Sequence, residues 1–153
     1  MNFPLFIDLN EKKVLIVGAG VIAARRATVL IEFGAKVTVV APEAGSGVQE
    51  LADTGRLVWK QHAFGLQDLE DLNRSFLVIA ATNDPAVNDH IAQLCHERHI
   101  PVNHAGDQSQ CDFQFPAIVR NDPVVIGINA GGKDHGLVKR VAAGLREWIV
   151  GML

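Results

Sequence analysis

Cysteine is scarce in this chain of 153 residues, which carries only Cys95 and Cys111. Two thiols exclude a disulfide-stapled scaffold and a four-cysteine zinc site, and a pair of reduced thiols is expected. Long apolar runs are missing too. The longest, 14–24 and 76–81, fall well short of the ~20 residues that cross a bilayer. Residues 1–9 show no basic region followed by an apolar core and a cleavage site, so no signal peptide is expected and the reading is cytoplasmic. Positive charge is not in excess. Lys plus Arg number 14 against 17 Asp plus Glu, a net charge of −3, which argues against a dedicated nucleic-acid binder. Internal repeats and low-complexity linkers are absent. What remains is an ordinary globular mixture, 48% apolar and 20% charged, long enough for one domain and a small appendage.

The hydrophobic pattern alternates between strand and helix. Short apolar runs at 13–17, 36–40, 57–61, 76–81 and 100–103 read as strands. Between them, 21–33 repeats its apolar residues in steps of three and four and ends at Gly34. Residues 45–54 (most clearly 49–53), 66–72 and 84–99 are further helical stretches. Five strands joined by four helices predict an α/β fold, a doubly wound parallel sheet of Rossmann type, over 1–112. The character then changes. Runs 113–120 and 124–129, separated by Asn121-Asp122-Pro123, predict a hairpin, and Gly131-Gly132 precedes a last helix at about 136–150. Residues 113–153 are therefore read as a separate strand-strand-helix region.

The sharpest local signal is Gly18-Ala19-Gly20-Val21-Ile22-Ala23, a G-x-G-x-x-A at the first strand-to-helix turn. The first glycine permits the turn, the second admits a pyrophosphate, and a small third residue lets helix and strand pack closely. Free N–H groups at the helix start then face the phosphates. An acidic residue is expected at the end of the second strand to hold the ribose, but Ala41 stands there, followed by Pro42 and Glu43. Glu43, or backbone groups at Pro42 and Glu43, is left for that task. Arg25 and Arg26 suit either a 2′-phosphate or a solvated helix face, so NAD is favoured over NADP by a narrow margin. Thr82 and Asn83 follow the fourth strand, where ligands bind in such sheets. They suit the lining of the cofactor cleft; Asn83 or Asp84 suits a cap on the next helix equally well, and the two roles can coexist. His96 and His99, beside Cys95, are read as a helix face rather than a metal pair. His104 follows the fifth strand near Asp107 and Asp112, which makes a general base available there. Lys133 and His135, in the glycine loop before the last helix, suit an anion or a plain turn equally.

In sum these residues resemble the precorrin-2 dehydrogenase family, the NAD-binding module of siroheme synthases. The resemblance is carried by Phe3-Pro4-Leu5-Phe6, the glycine turn, Arg25-Arg26-Ala27, Val37 to Glu43, and Ile79 to Asp84 with Asn88. Val102-Asn103, Cys111-Asp112-Phe113, Phe115 to Val119 and Gly131-Gly132 continue it along the whole chain. It implies NAD-dependent oxidation of the tetrapyrrole precorrin-2 to sirohydrochlorin by a homodimer, with 113–153 as the dimerisation region. It also implies cofactor contacts at Val21, Ile22, Pro42 and Glu43, and a nicotinamide near Thr82 and Asn103. Lys133 and His135, helped by Lys139 and Arg140, would meet substrate carboxylates, and no bound metal is implied.

Three departures shape the expectation. Many members carry two successive aspartates starting three residues after the Asn of Val-Asn; here the places hold Gly106 and Asp107. Asp107 is then the first choice of proton acceptor and His104 the second. Small hydroxyl residues usually surround the Gly-Gly pair, where Asn129, Ala130, Asp134 and His135 stand. Relatives often continue with a helical region that covers the tetrapyrrole, whereas this sequence stops at Leu153, which predicts a more open cleft. The rival reading is a module that binds NAD or a tetrapyrrole without turnover. A metal chelatase using His104, His135 and Asp107 ranks third.

Overall fold

The computed structural model describes residues 2–152. Two compact units emerge, Ile7–Phe113 and a second made of Gln114–Leu153 with the stretch Met1–Phe6. In the larger unit β1 (Lys13–Val17), β2 (Lys36–Val40), β3 (Val58–Lys60), β4 (Leu77–Ala80) and β5 (Val102–His104) form one sheet in the order β3-β2-β1-β4-β5. Every pairing is parallel, with Val14 between Val37 and Leu77 and Val17 between Val40 and Ala80. The connections are α1 (Val21–Glu32), α2 (Ser46–Asp53), α3 (Leu69–Arg74) and α4 (Pro85–Glu97). The Rossmann-type sheet expected from the sequence is the sheet observed.

β1 and β4 are apolar on both faces because helices cover both faces, as parallel sheets require. Leu15 and Val17 meet Val78 and Ala80 under Leu72, Ile91, Ala92 and Cys95 from α3 and α4. Val14 and Ile16 alternate to the opposite face, where α1 buries Ala23, Ala27 and Leu30. Burial in that apolar layer pushes the Cys95 thiol up to about 12, desolvation being the main cause and the Asp112 charge the next. An aromatic disulfide reagent at pH 8 should therefore label Cys95 only once denaturant has unfolded the sheet. Rapid labelling of Cys95 in the native state would contradict this packing.

Some local expectations shift in this unit. The stretch 66–72 is not one helix. Leu66–Asp68 is a 3-10 turn because the buried Asp68 carboxylate reaches back to the Gly65 N–H at 2.9 Å, and α3 starts only afterwards. The fifth strand begins at Val102, because Pro101 follows the turn that closes α4, where the Ile100 N–H bonds the Cys95 carbonyl.

In the smaller unit β6 (Ala117–Asn121) and β7 (Val124–Ile128) pair antiparallel, as expected of a hairpin. β6 does not reach back to Phe113. Pro116 has no N–H to offer a ladder, and the Phe113 carbonyl already accepts from Asn103 at 2.8 Å. α5 (His135–Met152) lies on the hairpin through Ala142, Leu145 and Ile149, packed with Ala117, Val119, Ile126 and Ile128. A second apolar stripe on α5, with Leu137, Val141, Trp148 and Met152, is exposed. Among the described residues no helix is long and apolar enough to cross a membrane.

Candidate functional site

Ligand clefts in sheets of this kind open beyond the carboxyl ends of the strands, where the winding direction reverses. Here that point lies between β1 and β4. β1 runs out into Gly18, whose φ of +107° only glycine adopts easily. A Cβ at Gly18 would stand 2.2 Å from the Ala81 carbonyl oxygen, so the turn is packed directly against the exit of β4. Gly20 differs. It is the N-cap of α1, it makes no side-chain cap, and a Cβ placed on it would meet nothing within 4 Å. The first-turn N–H groups of α1 thus open onto free space at the positive end of the helix. Val21 and Ile22 are exposed beside them. A pyrophosphate fits this cradle in charge, donors and room.

The exit of β4 is held by one buried side chain. Asn88, on α4, accepts from the Thr82 N–H at 3.0 Å and the Thr82 hydroxyl at 2.7 Å, and donates to the Thr82 carbonyl at 3.1 Å. Asp84, not Asn83, caps α4: its carboxylate accepts from the Ala86 N–H at 2.9 Å, with Pro85 in the first helical position. Asn83 is left exposed on the cleft wall. Replacing Asn88 with Ala leaves the Thr82 N–H and carbonyl without their partner. A loss of about 2–3 kcal/mol is expected, read as a lower urea midpoint at unchanged slope.

A cavity of about 380 Å³ follows, lined by Ile22, Thr82, Asn83, Asp89, His104 and Asp107 among others. His104 is almost wholly buried. Its Nδ1 accepts from the backbone N–H of Gly106 at 3.1 Å and of Asp107 at 2.9 Å. Its Nε2 lies 3.0 Å from Asp89 Oδ1. A nitrogen that accepts two N–H bonds carries no proton, so the imidazole is neutral and its proton sits on Nε2, donated to Asp89. Asp107 caps the short 3-10 turn Gln108–Gln110. Its Oδ1 accepts from the Ser109 hydroxyl and N–H at 2.6 and 2.9 Å, and its Oδ2 from Gln110 Nε2 at 3.0 Å. The Ser109 hydroxyl, then Gln110, hold the Asp107 carboxyl below the usual carboxylate range.

Asn103, expected near the nicotinamide, is buried and bonded at both ends of its amide. It accepts from Arg26 Nη1 at 2.6 Å and donates to the Phe113 carbonyl. Arg26 is thereby turned toward β5, and burial, then the neighbouring Arg25 charge, lowers its pKa. Ala41, in the place of the usual acidic residue, is buried, with its carbonyl accepting from the Trp59 indole N–H at 2.9 Å. Glu43 next to Pro42 is exposed and makes no hydrogen bond to a described residue. Lys133 and His135 are exposed in the smaller unit, at the loop before α5 and at its first residue. His96 pairs with Asp112 at 3.5 Å. Among the described residues no group of three His, Cys, Asp or Glu is placed to hold a metal.

Sequence reading alone missed Asp89 and the Trp59 contact. A carboxylate one residue after the Asn88 clamp, on a helix that starts at the ligand edge, was the available signal for Asp89.

Strand order, glycine turn and open helix start place the chain among the dinucleotide-binding domains of doubly wound type. A family model described as putative NAD(P)-binding matches residues 5–117. A solved structure titled SirC, precorrin-2 dehydrogenase, aligns over 95% of this chain and 70% of its own, with a TM-score of 0.80 and 32% identity. The chain belongs to the family of NAD(P)-binding modules that precorrin-2 dehydrogenase and the siroheme synthases share. Among curated relatives, a probable multifunctional siroheme biosynthesis protein of Ruminiclostridium josui is 41% identical over 95% of this chain. A siroheme synthase of Hydrogenovibrio crunogenus is 38% identical over the same share. The chain spans 28% and 31% of the length of these two relatives.

Proposed function

We propose that the chain catalyses the NAD-dependent dehydrogenation of precorrin-2 to sirohydrochlorin in siroheme biosynthesis. The observation that carries this reading is the open cradle at Gly20 beside a cavity with acid-base groups, in a chain that matches a precorrin-2 dehydrogenase along 95% of its length. Val21 and Ile22 would hold the pyrophosphate through their N–H groups, and Pro42 with Glu43 the adenosine ribose. NAD is favoured over NADP because Glu43 has no hydrogen-bond partner among the described residues while Arg26 is tied to Asn103. When bound, the nicotinamide supplies the hydride acceptor. The protein's own residues orient the substrate, exclude water and take a proton. Thr82, fixed by Asn88, and Asn83 shape the nicotinamide end of the cleft. Asp107 and His104 stand on the same wall.

Precorrin-2 is a polycarboxylate, and Lys133, His135, Lys139 and Arg140 are the exposed basic groups offered to it around the start of α5. A homodimer is supported by the exposed stripe Leu137, Val141 and Trp148, since a patch of this kind marks association. A second reading, a module that binds without turnover, is favoured by one observation: Gly106 lines the cavity without a side chain, and its N–H is taken by His104 Nδ1. The test is NADH absorbance with purified protein, NAD and enzymatically generated precorrin-2. NADH rising together with the sirohydrochlorin spectrum is expected. NAD binding by calorimetry without NADH formation would overturn the enzyme reading in favour of the binding module.

A further inference from the structure

We infer that Asp89 is the side chain that takes the substrate proton in this cleft, and that His104 is its positioning residue; the inference rests on the dehydrogenase reading above. Three titratable side chains line the cavity: Asp89 from α4, His104 from β5 and Asp107 from the turn after it. Two of them are already committed. Asp107 uses both oxygens to hold the Gln108–Gln110 turn. A carboxylate so stabilised keeps its charge and is a poor proton acceptor. His104 has no lone pair to give, because Nδ1 accepts two backbone N–H groups and Nε2 carries the ring proton.

Asp89 is arranged otherwise. Its Oδ1 accepts from His104 Nε2 at 3.0 Å and from Gln110 Nε2 at 2.8 Å. Its Oδ2 makes no hydrogen bond to any described residue. One oxygen anchors the carboxylate and the other is presented, on a side chain that is 57% exposed at the cavity. The anchor is stiff. The buried imidazole cannot flip without leaving the Gly106 N–H unpaired, a loss of about 1–3 kcal/mol, and the Asp107 N–H with only its long 3.4 Å bond to the His104 carbonyl. Asp107 reinforces the arrangement at a distance, because the Gln110 amide that reaches Asp89 also binds Asp107 Oδ2.

The step balances with these parts. A bound nicotinamide would supply the acceptor for the hydride that one carbon of the substrate loses. A neighbouring C–H or N–H bond breaks, its proton forms the O–H bond on Asp89 Oδ2, and its electron pair closes the new double bond. Throughout, Oδ1 stays the acceptor of the His104 and Gln110 bonds, so no side chain has to move.

The experiment compares Asp89→Asn, Asp107→Asn and Asp89→Ala in the precorrin-2 and NAD assay, with NAD affinity measured by calorimetry. Asp89→Asn is expected to lower kcat by about 100-fold or more, the ordinary worth of a general base, with NAD affinity unchanged within about twofold. Asp107→Asn should lower kcat by clearly less than Asp89→Asn does, since its amide oxygen still accepts from Ser109 and only the Gln110 bond to the second oxygen is disturbed. Formate should restore at least about a tenth of the lost rate to Asp89→Ala, since it supplies a carboxylate at an exposed site. His104→Gln should lower kcat in the native background and add nothing further in Asp89→Ala, which a purely structural role would not produce. An Asp107→Asn loss larger than that of Asp89→Asn overturns the inference alone. So does Asp89→Ala that formate leaves inactive, or an Asp89→Asn protein that loses NAD binding along with turnover. No NADH from the unaltered chain overturns the dehydrogenase reading and this inference with it.

Discussion

Gly18→Ala should fail as a protein before it fails as an enzyme. The new Cβ would lie 2.2 Å from the Ala81 carbonyl oxygen and 2.8 Å from the Thr82 nitrogen, both backbone atoms that cannot swing aside. The positive φ of +107° adds its own strain for any residue with a side chain. Strain and overpacking of this kind sum to about 3–5 kcal/mol. That is a large part of the ~5–15 kcal/mol that holds a domain of this class together. Thermal unfolding of the purified variant should begin some 10 °C lower, at about 2–4 °C per kcal/mol, or the variant should accumulate insoluble. A melting temperature within 2 °C of the unaltered chain would show that β1 and β4 do not close on one another as described.

Two residues on, the opposite result is expected. Gly20 has a negative φ, and a Cβ there meets nothing within 4 Å. Gly20→Val should therefore leave the fold intact, with the melting temperature of the ligand-free chain moved by less than about 2 °C. The branched side chain would fill the space that a pyrophosphate needs over the N–H groups of α1. A drop in nicotinamide-cofactor affinity of about 100-fold or more is expected by calorimetry, equivalent to ~2.7 kcal/mol. Near-native affinity in a folded Gly20→Val protein would remove the phosphate cradle from this turn. The pair of variants separates what the glycines do for the chain from what they do for its ligand.

Legibility in the sequence follows the range of the interactions. The first strand, its glycine turn and the helix after it are local signals: a β-branched run, a tight turn, then apolar residues in steps of three and four. They could be read without knowing what lies beside them. The placement of Thr82, Asn83, His104 and Asp107 around one cavity also followed, because strand ends in a parallel sheet share an edge. Other features depend on partners far along the chain. Phe113 and Phe115 look like strand residues, but Pro116 and the Asn103 bond to the Phe113 carbonyl keep β6 from starting before Ala117. Asp89 joins the site only because the register of β4 and β5 brings His104 to its side. Arg26 looked free to meet a phosphate until Asn103 took it. In each case the decisive bond joins elements that no local window contains.

The strand order β3-β2-β1-β4-β5 also sets a timetable. A chain growing from its amino terminus can pair β1 with β2 as soon as Val40 has emerged. The other edge of β1 stays bare until β4 arrives, since the second partner of Val14 is Leu77. Through that interval a strand whose residues Val14 to Val17 are all destined for burial offers unpaired N–H and C=O groups to any neighbour. Non-local pairing of this kind is slow and exposed to aggregation. Dependence on chaperones during synthesis should therefore be concentrated in nascent chains that end between β2 and β4, and should fall once residues 77–80 have been made.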